Sequence, residues 1–275
     1  MEGKKLLFKG GKRQYMNGFY MIPDYFNLKD SAELAKENGL GFEYNDFCFP
    51  GMLDNSDMQQ ERINEYFSLD RDRSNDTMHG AFFDVTVFSC DPKIREVSLL
   101  RMRQSMEIAK KMGLRAVIFH GNYLPFLRGE GYDKLWIAYT EETIRNLARE
   151  YPEIGIYLEN MFDDSPEMLV RLAERLTDVP EFGLCLDYSH ALLTSGKSEV
   201  WMRTMAPYIR HMHVNDHCFE GDTHLVPGEG KTDWKEFAEL KEKYAPKATV
   251  LFEVSGIEKA KRALQFFTDS GKITM

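Results

Sequence analysis

Residues 209–231 read IRHMHVNDHCFEGDTHLVPGEGK. The opening residues form a short apolar run that stops in polar side chains and passes into a loop, and four of the chain's seven histidines fall here: His211, His213, His217 and His224. Each imidazole brings two ring nitrogens that need partners once desolvated, so an ordinary buried strand has no use for so many. A metal ion would supply those partners, with Asn215, Asp216 and Asp222 close enough in sequence to share the coordination or orient the rings. His211 lies two residues before His213, on the same side of the strand and one layer deeper, and reads as a core or supporting residue. His217 has no matching partner and reads as exposed. Gly228-Glu229-Gly230 has too few glycines for a phosphate loop and reads as a turn.

Outward from this stretch, the same unit recurs. The expected strands are 17–22, 41–47, a run ending at Met78-His79-Gly80, 116–119, 154–158, 182–186, 209–214 and 250–252. Helical patterns separate them. Asp30 with Glu33 predicts a capped helix stopping at Asn38-Gly39, and a loop through Pro50-Gly51 leads to a polar helix over 57–69. Asp91-Pro92 opens a helix to Met112 that Gly113 ends. Further helices are expected over 132–151, from a Ser165-Pro166 cap to 176, over 199–205, after Asp233 with Glu236, and over 258–267. Strand then helix, eight times with buried apolar strands, predicts an α/β fold: a single-domain (β/α)8 TIM barrel over residues 1–275.

The 275 residues suit a barrel of this kind, and 43% hydrophobic residues make the chain a globular protein. A formal charge of -9 gives no positive field to steer nucleic acid or anionic membrane. Cys48, Cys90, Cys185 and Cys218 are scattered without a Cys-x-x-Cys pair, which disfavours a disulfide framework and predicts a reducing, cytoplasmic setting. The basic leader MEGKKLLFKGGKRQY lacks the apolar core of a signal peptide, and no later segment has the apolar length of a membrane span.

On this scheme His79, His120, Glu159, Asp187, His213 and Glu253 each end a different strand, and His190, Asp222 and His224 lie in the loops that follow. Barrel closure brings all those ends to one face, where catalytic groups of the fold are found. Taken singly, each has a bland explanation: His120 as a half-buried imidazole, Glu159 as a loop cap, Asp187 as the N-cap of a helix starting at Tyr188. Jointly they do not, because unpaired acids and imidazoles crowding one mouth without an ion would be costly.

These residues carry a resemblance. MHGAF around His79, VIFHG around His120, IYLEN around Glu159, LCLDYSH from Leu184, HMHVND from His211, DTHLVPGEGKTDW from Asp222 and LFEVS around Glu253 resemble the xylose-isomerase-like barrel superfamily, which joins sugar isomerases and epimerases to endonuclease IV. In its isomerase branch, the resemblance implies one divalent ion, manganese or else cobalt or magnesium, on Glu159, Asp187, His213 and Glu253. The two glutamates would move a proton between adjacent carbons of a sugar or sugar phosphate through an enediolate. His190 and His224 would bind hydroxyls, and Phe82, Tyr123 and Tyr188 would wall the substrate. Dehydration of a keto-sugar or keto-inositol is a related chemistry.

The endonuclease branch implies up to three zinc ions on His79, His120, Glu159, Asp187, His190, His213, Asp222, His224 and Glu253, acting on abasic DNA. Against it stand DTH where the nuclease has Asp-Arg-His, YLENMF where it has a Glu-x-Thr-Ala-Gly type segment, and the lack of basic and intercalating loop residues. The expected partner is therefore a small carbohydrate, with nucleic acid disfavoured, no membrane, and homo-oligomerisation left open.

Overall fold

The computed structural model describes residues 18–82 and 84–269. The basic leader and Asn17, the first residue of the expected first strand, lie outside the described residues. Strands β1 (Phe19–Met21), β2 (Gly41–Tyr44), β3 (Thr77–His79), β4 (Ala116–His120), β5 (Gly155–Glu159), β6 (Phe182–Asp187), β7 (Ile209–Val214) and β8 (Thr249–Phe252) pair in parallel, each with its sequence neighbour, and β8 closes on β1. Helices α1 (Leu28–Asn38), α2 (Pro50–Leu53), α3 (Ser56–Phe67), α4 (Pro92–Met112), α5 (Glu130–Glu150), α6 (Glu167–Arg175), α7 (Tyr188–Ser195), α8 (Ser198–Met205), α9 (Trp234–Tyr244) and α10 (Ile257–Asp269) fill the connections. The protein is a (β/α)8 barrel.

Local chemistry sets several boundaries as expected. Asp91 accepts from Lys93 N at 2.8 Å with Pro92 behind it, and Asp233 accepts from Lys235 N and Glu236 N at 3.0 Å, so both cap their helices. Gly39 and Gly113 end α1 and α4 at φ 71° and 69°, the left-handed conformation glycine adopts without cost. Other expectations need correction. Asp30 is no cap: α1 starts earlier, after Asn27, and Asp30 sits in its first turn, where its charge complements the helix dipole's positive end. Pro50 begins the short α2 where a plain loop was expected, its fixed φ suiting a first helical position. The α6 cap residue is Pro166, without a side-chain bond. Asp187 does cap a helix starting at Tyr188: α7 stands directly on the end of β6.

The strand alternation decides what faces where. Phe42, Val117, Phe119, Leu158, Leu184, Leu186, Met212 and Phe252 point outward into the main core under the helices, all 2% exposed or less. Burying each such side chain contributes about 1.5–3 kcal/mol, so the sheet–helix layer holds the fold. The inward positions carry only small apolar islands, Ala116, Ile118, Tyr157 and Cys185 on one side and Tyr20, Ile22 and Leu251 on the other. Above them the inward positions turn polar. At the opposite, N-terminal face, Asp76 accepts from Phe42 N, the Tyr44 hydroxyl and Arg71, a structural tie between β2 and the approach to β3.

Candidate metal centre

Register places the strand-end residues side by side. His120 is level with Glu159 across β4 and β5, and Asp187 with His213 across β6 and β7. His79, Glu159, Asp187 and His213 are buried, the last three completely, and the Glu253 side chain keeps 12% exposure. Asp187 serves twice: its Oδ1 caps α7 by accepting from His190 N at 2.6 Å, and its Oδ2 is left toward the centre.

Glu159 is the hub. Its Oε2 lies 3.2 Å from His213 Nδ1, 3.6 Å from His120 Nε2 and 3.7 Å from His79 Nε2, and its Oε1 lies 3.6 Å from His190 Nδ1. His79 Nδ1 donates to Gly80 O at 3.0 Å, which leaves its Nε2 with a lone pair, 3.2 Å from His120 Nε2. Beside this group, Asp187, His213 and Glu253 converge. At the outer edge His190 Nε2 and His224 Nε2 both face Asp222 Oδ2, at 3.2 and 2.9 Å. Their Nδ1 atoms are fixed by donating to Asn160 O and Glu253 O, each at 2.9 Å.

The charges respond to this crowding. Burial works to raise the Glu159 carboxyl, but His213 and His120 overcome it and hold it well below the usual range. Burial instead wins at Asp187, raised to about 8, and at His120, lowered to about 3. Burial opposes a charged His224, yet Asp222 and Glu253 raise it to about 9. Both oxygens of Glu159, Asp187 Oδ2, Glu253 Oε2 and His213 Nδ1 are buried without an aligned hydrogen-bond partner. Such orphaned anionic oxygens beside imidazole lone pairs are the donor set a divalent ion takes, so the residues fit one.

All nine strand-end and loop residues singled out above therefore meet at one mouth. Phe82 joins them, its ring 5.4 Å from both His79 and His120 and 5.8 Å from the exposed Phe49. Tyr123 and Tyr188 do not line it. The Tyr123 hydroxyl donates to Asp133 and its ring packs on Trp136; Tyr188, one residue past inward-facing Asp187, alternates outward onto Phe237. His217 is fully buried, contrary to the exposure expected, because the 216–232 loop folds back over it; its Nδ1 accepts from Phe219 N. His211 is one layer deeper than His213, as expected, and completely buried.

Glu43 was missed. Fully buried on β2, it faces both His211 and His213, at 3.2 and 3.0 Å. Its one signal in the sequence is an acid at the alternating inward position of GFEY, which a mid-strand location disguises.

Residues 32–270 match the family model described as xylose isomerase-like TIM barrel. The chain belongs to that family. Two uncharacterised proteins of Methanocaldococcus jannaschii are each 27% identical to it, over 60% and 58% of this chain; the matches span 59% and 63% of those relatives' own length. Among solved structures, a Thermus thermophilus protein soaked with zinc chloride aligns with a TM-score of 0.73 at 21% identity, covering 94% of this chain and all of that one. A D-tagatose 3-epimerase-like protein aligns at 0.72 and 19%, covering 91% and 96%, and an IolI protein with a zinc atom at 0.68 and 17%, covering 93% and 99%. The solved structures with this fold thus include a sugar epimerase-like protein, a protein soaked with zinc chloride and one with a bound zinc atom. Among the described residues no helix is long and apolar enough to cross a membrane.

Proposed function

We propose that the protein is a divalent-metal-dependent isomerase or epimerase of a small carbohydrate. The observation that carries this reading is the gathering of Asp187, His213 and Glu253 in one group, with Glu159 beside it in reach of both Asp187 and His213, and with orphaned atoms on all four. Three carboxylates against one dication leave about -1, which suits a neutral polyol and leaves a carboxylate able to take a proton. Bound there, the ion would polarise a carbonyl and its adjacent hydroxyl. Manganese, cobalt and magnesium suit an oxygen-rich set, and the zinc atom in one structural neighbour, with the zinc chloride soak of another, keeps zinc in the comparison.

The chain's own groups divide the remaining tasks. Glu253, the more accessible carboxylate, takes the proton from the carbon next to the carbonyl and, in an isomerisation, returns it to the neighbouring carbon; in an epimerisation Glu159, on the other side of the centre, enters the step protonated, gives its proton to the opposite face, and proton exchange with water resets the pair. His224 and His190, held at fixed tilt by backbone carbonyls, offer Nε2 to substrate hydroxyls. Phe82 covers an apolar sugar face. A single domain over the whole chain and a cytoplasmic setting complete the reading.

One observation favours a second reading. His79, His120 and Glu159 form one group, Asp187, His213 and Glu253 a second, and His190, Asp222 and His224 a third, with Glu159 shared. Four carboxylates against three dications leave about +2, a charge suited to a phosphodiester. Elemental analysis of the purified protein, followed by turnover assays, separates the two. About one manganese, cobalt or magnesium per chain with epimerisation of ketoses supports the first; about three zincs with cleavage of abasic DNA and no sugar turnover overturns it.

A further inference from the structure

Three of the centre's histidines share one device. His79, His190 and His224 each donate Nδ1–H to a backbone carbonyl and present Nε2 inward. His213 is reversed. Its Nδ1 faces Glu159 and Glu253, at 3.2 and 3.8 Å, and its Nε2 points the other way, toward β2. The group at that end is the Glu43 carboxylate, 3.0 Å away.

Glu43 cannot be accounted for as an ordinary core residue. It is fully buried, and an uncompensated carboxylate there would be strongly destabilising. Its second oxygen, Oε2, accepts from Thr77 Oγ1 at 2.7 Å and lies 3.2 Å from His211 Nε2, while His211 Nδ1 meets Thr249 Oγ1 at 2.6 Å. That oxygen is therefore met from neighbouring β3 and, across the barrel, from β7. Oε1 is buried without an aligned hydrogen-bond partner, as is His213 Nε2 3.0 Å away, so each is the group at hand to satisfy the other.

We propose that Glu43 is the positioning residue of the centre: it holds the proton of His213 on Nε2, fixes the ring's orientation, and so delivers Nδ1 as the ligand atom. A carboxylate behind a ligating imidazole both selects the tautomer and makes the ring a better donor. Thr77 and His211 keep that carboxylate from turning away. The assignment rests on the metal reading above but concerns a residue that touches no substrate, and it makes His213 the one histidine of the four whose ligand atom is Nδ1.

The test is Co2+ titration of the metal-free wild type, Glu43→Gln and Thr77→Val, read by the visible ligand-field spectrum and by competition with a chelator, with circular dichroism to verify folding. Glu43→Gln keeps the volume and loses the charge; its Co2+ affinity should fall about 10- to 100-fold with an altered spectrum. Thr77→Val, which removes one contact to Oε2 but leaves His211 beside that oxygen and Oε1 facing His213, should stay within about threefold of wild type. Wild-type affinity and spectrum in folded Glu43→Gln overturn the proposal. An independent reading on the unmutated protein serves if that variant does not fold: in 15N-histidine-labelled, 113Cd-loaded protein, metal coupling at His213 Nδ1 with the proton on Nε2 supports it, and coupling at Nε2 overturns it. A wild type that takes up neither Co2+ nor Cd2+ overturns the metal reading itself, and with it Glu43's role.

Discussion

Glu159 and Glu253 are chemically the same residue in different surroundings. Glu159 is 1% exposed in its side chain and ringed by four imidazoles, whereas Glu253 keeps 12% exposure at the mouth. The proposed proton transfer therefore predicts a split between their variants. Glu253→Gln should lower kcat by a factor of about 10^2–10^4, the usual worth of a positioned acid or base, while the protein retains most of its metal. Glu159→Gln should lose turnover and metal together, because it removes the charge shared by the whole cluster. Metal content and kcat measured on both variants check this, and unchanged turnover in both sinks the acid and base roles. Tyr123 and Tyr188 show how far one residue's type misleads: each lies just past a strand end, yet Tyr188 turns outward onto Phe237 and Tyr123 is held by Asp133 and Trp136 of α5.

Among the elements, the loop after β7 brings Asp222 and His224 to the mouth, and one side chain folds it. Asp216 accepts from His217 N at 2.9 Å and Thr232 N at 3.0 Å through Oδ1, and from Gly228 N at 2.8 Å and Trp234 Nε1 at 3.0 Å through Oδ2. Gly230 makes room for it: a Cβ there would stand 2.3 Å from Asp216 Oδ1 and 2.6 Å from His217 O. Gly230→Ala should thus displace the loop and weaken binding at His190 and His224, measurable as a raised KM in a sound barrel. Asp216→Asn turns one acceptor edge into a donor facing Gly228 N and Trp234 Nε1, and should cost about 1–3 kcal/mol in urea unfolding. Burial acts to raise the Asp216 carboxyl, but its donors, Trp234 first, hold it below the usual range. A depressed carboxylate contributes stability above its unfolded pKa and loses it as pH falls through the native one. The difference between wild type and Asp216→Asn should accordingly be full at neutral pH and shrink below about pH 4.

At the scale of the whole molecule, the barrel confines several acids and imidazoles that are better partnered by a cation than by one another. An ion that binds the folded state alone stabilises it by mass action, by about 2.7 kcal/mol at a hundredfold excess over Kd. For a chain of this size that is a rise in Tm of several degrees. Chelator treatment should lower Tm by that amount and metal add-back should restore it, as followed by thermal scanning; no change in either direction would mean that the native centre holds no ion.

The chain determines by itself that there are eight strand–helix units and that six strands carry His, Asp or Glu at or beside their C-terminal ends, since both follow from local periodicity and from polar residues at the ends of apolar runs. Parallel closure then follows almost without choice, and with it the meeting of His79, His120, Glu159, Asp187, His213 and Glu253. Ring orientation is a different matter. Which nitrogen of each imidazole faces the centre depends on what stands behind the ring, Gly80 O for His79 but Glu43 for His213, and those neighbours come from strands distant in sequence. Burial of His217 and outward rotation of Tyr188 are decided the same way, by what packs against them once the barrel has closed. Period and polarity are local properties and can be read along a chain; the partner of a buried polar atom is a long-range contact that only the closed sheet supplies.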